Sequence, residues 1–174
     1  SAFKWVRVDG DWTNQGLQYR AGLEAIRKEW GEHTNVLVVD TDEVWEVSEL
    51  RKLREEMDRR EHAEHFRARY WEYVKSPLYQ VWPRGDRWAV VGLGNARDRT
   101  ICQRFSGDLP GCLSMEITFH HFGWVRRSEA MVLAKFKTTS SNEMVPQNWD
   151  WFKNVWPKLP ECSDFHPSIG FGKA

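Results

Sequence analysis

The stretch NVLVVDTDEVW, residues 35–45, sets a run of apolar β-formers, Val36 to Val39, against three carboxylates, Asp40, Asp42 and Glu43, with only Thr41 among them. Apolar residues at both alternating positions suit a strand covered on both faces. Upstream, Phe3–Val8 (FKWVRV) alternates apolar and basic residues as a strand does, and DGDW turns the chain at Gly10. Thr13–Trp30 carries an irregular apolar stripe of Leu17, Ala21, Leu23, Ala25, Ile26 and Trp30, which predicts a helix capped by Thr13 or Asn14. Strand, helix and strand in this order predict a βαβ unit with parallel strands and a right-handed crossover. Open α/β sheets bind ligands beyond the C-terminal ends of their strands, so the three carboxylates stand at an expected functional address.

After this segment, Ser48 opens a second helix, SELRKLREEMDRR, whose charges are spaced to pair across turns on a solvated face. The segments HFRARYWEYV, LYQVWP, RWAVVGL and RTICQRF are short, β-rich and punctuated by Pro and Gly, and they read as strands and hairpins up to about Phe105. A Gly/Pro loop, SGDLPGC, leads into one more strand, MEITFHHF. Ser128–Lys137 and QNWDWFKNVW read as helices, and the tail from Pro157 as Pro/Gly-rich coil. The expected architecture is α/β, a mixed sheet flanked by helices in a single domain. Residues 1–60 form its βαβ part ending in the acidic site, and residues 61–174 supply the facing strands and C-terminal helices.

Composition narrows the function classes. The 25 Lys and Arg are matched by 25 Asp and Glu, whereas a dedicated nucleic-acid or membrane-surface binder shows a basic excess. No helix-turn-helix, zinc-finger or aromatic RNA-binding signature is present, so no direct nucleic-acid partner is expected. No window has the continuous apolar length of a membrane span and no signal-peptide core is evident, so the expectation is a soluble chain in the cytoplasm. Cys102, Cys112 and Cys162 are widely spaced with no CxxC pair, which indicates neither a disulfide framework nor a zinc site. The 11 Trp, 9 Phe and 4 Tyr chiefly fill cores, with some left to line a groove for a flat ligand.

On an extended backbone Asp40 and Asp42 lie on the same side, close enough to share one cation. Like charges so placed raise each other's pKa unless a counter-charge is present. Mg²⁺ or Mn²⁺ suits carboxylate oxygens and leaves coordination positions for phosphate. The bland alternative is that these acids cap the next helix or form a solvated turn.

NVLVVDTDEVW resembles the Asp-X-Asp segment of glycosyltransferases of the GT-A fold, in particular the family 2-like group whose strand ends in Asp-X-Asp-Glu. GDWTNQGLQYRAGLEAI is similar to the helix those proteins place before that strand. FHHFGWVRRSEAMVLAKFKT is similar to their His-aromatic-Gly, Arg and Lys segment, and WFKNVWP with FHP to their tail. The resemblance implies a GT-A-like, Rossmann-related fold and a metal-dependent transferase that moves a sugar from a nucleotide-diphosphate sugar donor to a sugar or other hydroxyl acceptor. It implies Asp42 as a direct metal ligand, Asp40 at the metal or the nucleotide ribose, and Glu43 orienting one of them or reaching a sugar hydroxyl. His121 is implied as a further metal or diphosphate contact, with His120 on the opposite side of the strand, and Arg126 and Lys135 as diphosphate contacts. Members of that group begin with an additional βαβ segment that recognises the nucleotide base, and this chain starts too late to contain it. An inverting transferase also needs a carboxylate to take the acceptor's proton, for which Glu116 and Glu72 are the candidates, with Asp108 in the loop a third. His166 is a weaker contact candidate, and Arg20 receives no role.

Two other classes fit parts of the pattern. DTDEV also suits a haloacid dehalogenase-like Mg²⁺-dependent phosphatase or phosphotransferase, with the first Asp as nucleophile and the second as general acid/base, but the downstream acidic pair of that chemistry is missing. A non-catalytic carbohydrate-binding domain would use the Trp-rich strands as platforms and the acids as a structural ion site.

Overall fold

The computed structural model describes residues 7–10, 15–60, 63–81, 88–94, 111–138 and 145–159. The elements are α1 (Gln15–Trp30), β1 (Val36–Leu37), β2 (Glu43–Val44), α2 (Val47–Arg59), β3 (His65–Val74), β4 (Trp88–Leu93), β5 (Cys112–Trp124), α3 (Glu129–Thr138), α4 (Val145–Asn154) and a 3₁₀ turn, Trp156–Lys158. The fold is α/β, with a five-stranded sheet in the order β1-β4-β3-β5-β2. The pairings of β1 with β4, β3 with β4 and β2 with β5 are antiparallel. By contrast, Arg67 reaches Ser114 and Tyr73 reaches His120 across the same offset of 47 residues, so β3 and β5 run parallel and the sheet is mixed.

The chain forms two compact units. The first takes its described residues from Ser1–Asp40, Trp45–Arg69 and Trp88–Phe119, and the second from Thr41–Val44, Tyr70–Arg87 and His120–Ala174.

In the first unit, α1 ends where Gly31 adopts φ +87° and its amide closes back on the Arg27 carbonyl at 2.9 Å, a cap that favours glycine. The apolar stripe of α1 places Leu23 in a core with Val36, Val90 and Leu93, with Tyr19 and Ile26 packed beside them. From α2, the buried Leu53 and Met57 complete the apolar face, while Arg54 with Asp58 and Glu56 with Arg59 and Arg60 pair along the solvated one, as the charge spacing predicts. Trp45 stacks on Phe119 with ring centroids 4.5 Å apart.

Two expectations for the opening stretch are corrected here. The strand is two residues long, shorter than the apolar run of four; it pairs antiparallel with β4, a pairing separate from the one expected with residues 3–8. It is not covered on both faces: Val36 is buried, but Leu37 and Val39 are 41% and 48% exposed. The reason is position, since among the described residues β1 stands at the end of the strand order and alternation turns every second apolar side chain outward. Residues 3–6 of the expected first strand, the N-cap candidates Thr13 and Asn14, and RTICQRF lie outside the described residues.

Glu49 of α2 accepts the Thr118 amide of β5 at 3.0 Å and pairs with Lys52 at 2.6 Å. Burial pushes its carboxyl up, but the Lys52 ammonium and the Thr118 amide outweigh this, and the pKa falls below its ordinary value of 4.5. A lowered native pKa contributes stability above the ordinary carboxylate range and loses it as pH falls through the native value. Glu49→Gln is therefore expected to cost about 1 kcal/mol at neutral pH and almost nothing in strong acid. Denaturant unfolding of both proteins at the two pH values checks this; a pH-independent difference would exclude the carboxylate's charge as its cause.

The second unit is built around aromatic packing. Val74, Val81, Trp124, Val132, Trp151, Phe152, Trp156 and Leu159 form its core, and the Trp151 ring centroid lies 6.3 Å from Trp124 and 5.6 Å from Trp156. These three tryptophans bear out the core reading of the aromatic excess. Lys75, at φ +62°, turns the chain after β3. Its amide donates to Trp124 O at 3.1 Å, and its ammonium donates to the carbonyls of Trp156 and Leu159 at 3.3 and 2.8 Å. Among the described residues no helix is long and apolar enough to cross a membrane.

Candidate functional site

Alternation along β5 turns Met115, Ile117, Phe119 and His121 inward, and along β3 it turns Phe66, Ala68, Glu72 and Val74 inward. Each strand thus carries one ionisable side chain in an otherwise apolar row. Glu72 is 4% and His121 8% exposed, and burying such groups costs several kcal/mol per ion unless partners offset it.

The partners are the two residues themselves and the turn before β2. His121 Nδ1 lies 3.6 Å from Glu72 Oε1, and His121 Nε2 lies 3.8 Å from Asp42 Oδ1. Both separations are within ion-pair reach and beyond direct hydrogen-bond length. Asp42 is held from two sides, since the Phe122 amide donates to its carbonyl at 2.8 Å and Arg126 Nη2 donates to Oδ2 at 3.4 Å. Tyr70 presents its ring edge-on to the imidazole, with centroids 5.4 Å apart.

Lys135, from α3, donates to the Gly123 carbonyl at 2.7 Å and sits 5.0 Å over the Trp124 ring. Gly123 leaves open the space in which these groups converge. A Cβ there would stand 2.5 Å from His121 Cε1, 2.7 Å from His121 Nε2 and 2.8 Å from Lys135 Nζ. The side chains of Asp42 and Arg126 are 26% and 24% exposed, so the acid–base cluster is closed behind Glu72 and reached by solvent at Asp42 and Arg126.

Of the residues singled out in the sequence, Asp42, His121, Arg126 and Lys135 are brought together in the second unit. Glu43 lies opposite His121 in the β2·β5 ladder. His120 faces the other way, its Nδ1 2.8 Å from the Tyr73 hydroxyl and its ring edge-on to Trp71, so one histidine of the doublet serves this site. Asp40 is half-buried and belongs to the first unit, as does the exposed Glu116.

Of the three residues expected to share a metal, Asp42 and His121 lie in the second unit and Asp40 in the first. Among the described residues no group of three or more His, Cys, Asp or Glu side chains is arranged to hold a metal ion. The same-side argument for the two aspartates assumed an extended chain, whereas Thr41 and Asp42 form a turn. Glu72, a candidate for the acceptor's base, is buried and stands 3.6 Å from His121 Nδ1. Asp108 and His166 lie outside the described residues. Sequence reasoning missed Glu72 as a partner of His121, and it missed Gly123. The available signal was parity, since Glu72 shares its row with Phe66, Ala68 and Val74.

No family model, no curated protein and no solved structure matches this chain.

Proposed function

We propose that the chain is a metal-dependent glycosyltransferase that moves a sugar from a nucleotide-diphosphate sugar to an acceptor hydroxyl. The observation that supports this is the half-open cluster in which a carboxylate, Asp42, faces an imidazole, His121, at 3.8 Å beside the cations of Arg126 and Lys135. A carboxylate oxygen and a neutral imidazole nitrogen are apt donors for Mn²⁺ or Mg²⁺. Such ions commonly take only one or two protein ligands and complete their shell with substrate phosphates and water. Asp42 and His121 would hold the ion, which as a Lewis acid would stabilise the charge gained by the departing nucleoside diphosphate.

The other residues act directly. Arg126 offers a planar fork to phosphate oxygens and Lys135 a point charge. The Gly123 carbonyl and the Trp124 face hold the lysine ammonium in place, so it needs little reorganisation as charge develops. Asp42 also aligns Arg126, and the Phe122 amide fixes the turn that carries Asp42.

Calorimetric titration with Mn²⁺, with and without UDP or GDP, tests the reading. The expected result is nucleotide-diphosphate binding that requires Mn²⁺ and weakens about 10–100-fold in Asp42→Ala. A folded chain that binds neither nucleotide, or binds one equally well without Mn²⁺, would refute it.

A further inference from the structure

Glu72 is the buried ionisable group that the proposed chemistry leaves without a task. We infer that Glu72 is a positioning residue which holds His121 in the tautomer with the proton on Nδ1, so that the Nε2 lone pair faces Asp42 and Lys135. This inference rests on the proposed function only for its consequence at the metal; the tautomer itself is a property of the free chain.

Three observations favour that proton position. Each ring nitrogen of His121 faces a carboxylate at a comparable distance, 3.6 Å to Glu72 and 3.8 Å to Asp42, but Glu72 is the more buried, with 4% of its side chain exposed against 26% for Asp42, so its field on Nδ1 is less screened. Asp42 is moreover engaged by the Arg126 guanidinium, which draws its charge away from the ring. The third is Lys135, whose ammonium stands 2.8 Å from the position over Gly123 that Nε2 approaches to 2.7 Å. A cation there disfavours a proton on Nε2 and favours the lone pair.

A neutral imidazole with its lone pair directed outward is the form that binds a divalent ion, and a carboxylate on the far nitrogen both fixes the ring and raises its basicity.

The test compares wild type with Glu72→Gln, which keeps volume and removes charge. Long-range proton–nitrogen NMR of the metal-free chain reads the His121 tautomer, and calorimetry reads Mn²⁺ affinity. The expected result is a protonated Nδ1 in wild type, a shift toward protonated Nε2 in the variant, and a loss of Mn²⁺ affinity of about 10–100-fold. A protonated Nε2 or a doubly protonated ring in neutral wild type would overturn the inference, as would a variant with unchanged tautomer and affinity. If the tautomer moves as expected while neither protein binds Mn²⁺, the positioning role stands and the metal-dependent transferase reading fails. If the tautomer is the same in both proteins and Mn²⁺ binds them equally, the positioning role fails and the transferase reading is untouched. Where Glu72→Gln does not fold, Glu72→Asp, which keeps the charge on a shorter arm, supplies the same two readouts.

Discussion

Under the proposed function, replacing Gly123 with alanine is expected to weaken Mn²⁺-dependent nucleotide-diphosphate binding about 10–100-fold while leaving the chain folded. The added Cβ would stand 2.5 Å from Cε1 and 2.7 Å from Nε2 of His121, and 2.8 Å from Lys135 Nζ. Lys135 is a flexible side chain and can yield. The imidazole is 8% exposed and wedged between Glu72, Asp42 and Tyr70, so relief must come from rotating it or bending β5. Overpacking of this kind costs about 1–3 kcal/mol of stability. Under the proposed function a displaced His121 also no longer presents Nε2 to the ion, which adds the loss in binding to that cost. Calorimetry with Mn²⁺ and UDP or GDP, together with the His121 ring signals in NMR, checks both parts. Wild-type affinity with an unmoved ring would show that the space over Gly123 is not used.

The largest effect on stability is expected from Trp156→Ala. Trp156 is 3% exposed, packs on Trp151 at 5.6 Å, and belongs to the core that also holds Trp124 and Phe152. Truncating a buried tryptophan removes its transfer energy and leaves a cavity, at a cost of about 3–5 kcal/mol. Its carbonyl also receives the Lys75 ammonium, so a shifted 3₁₀ turn loosens the tie between the end of β3 and Leu159. Denaturant unfolding should show this loss. Trp30→Ala is the matched control, since that residue is 48% exposed and its truncation should stay within about 0.5 kcal/mol. Equal costs for the two would mean that the aromatic core does not hold the second unit together.

Much of the secondary structure was legible because it is written in local periodicity. HFRARYWEYV became β3 at the residues expected, and the helices opening near Ser48 and Ser128 begin within one residue of those positions. The candidate site was legible in part. Asp42 was named from its chemistry and His121, Arg126 and Lys135 from the family resemblance, and all four meet in the second unit. Asp40 was grouped with them by an alternation that a turn at Thr41 interrupts.

The amino-acid sequence by itself determined which residues alternate, which segments coil into helices, and that ionisable side chains, Glu72 and His121, stand in apolar rows. These are properties of neighbours two to four positions apart, where backbone geometry alone sets the facing. Only the tertiary structure decided that β1 lies antiparallel to β4 and that β3 runs beside β5 with an offset of 47 residues. That register brings Glu72 to one nitrogen of His121, and the turn before β2 brings Asp42 to the other. A one-residue slip of β3 against β5 would turn Glu72 to the opposite face, and the whole buried surface decides against that slip.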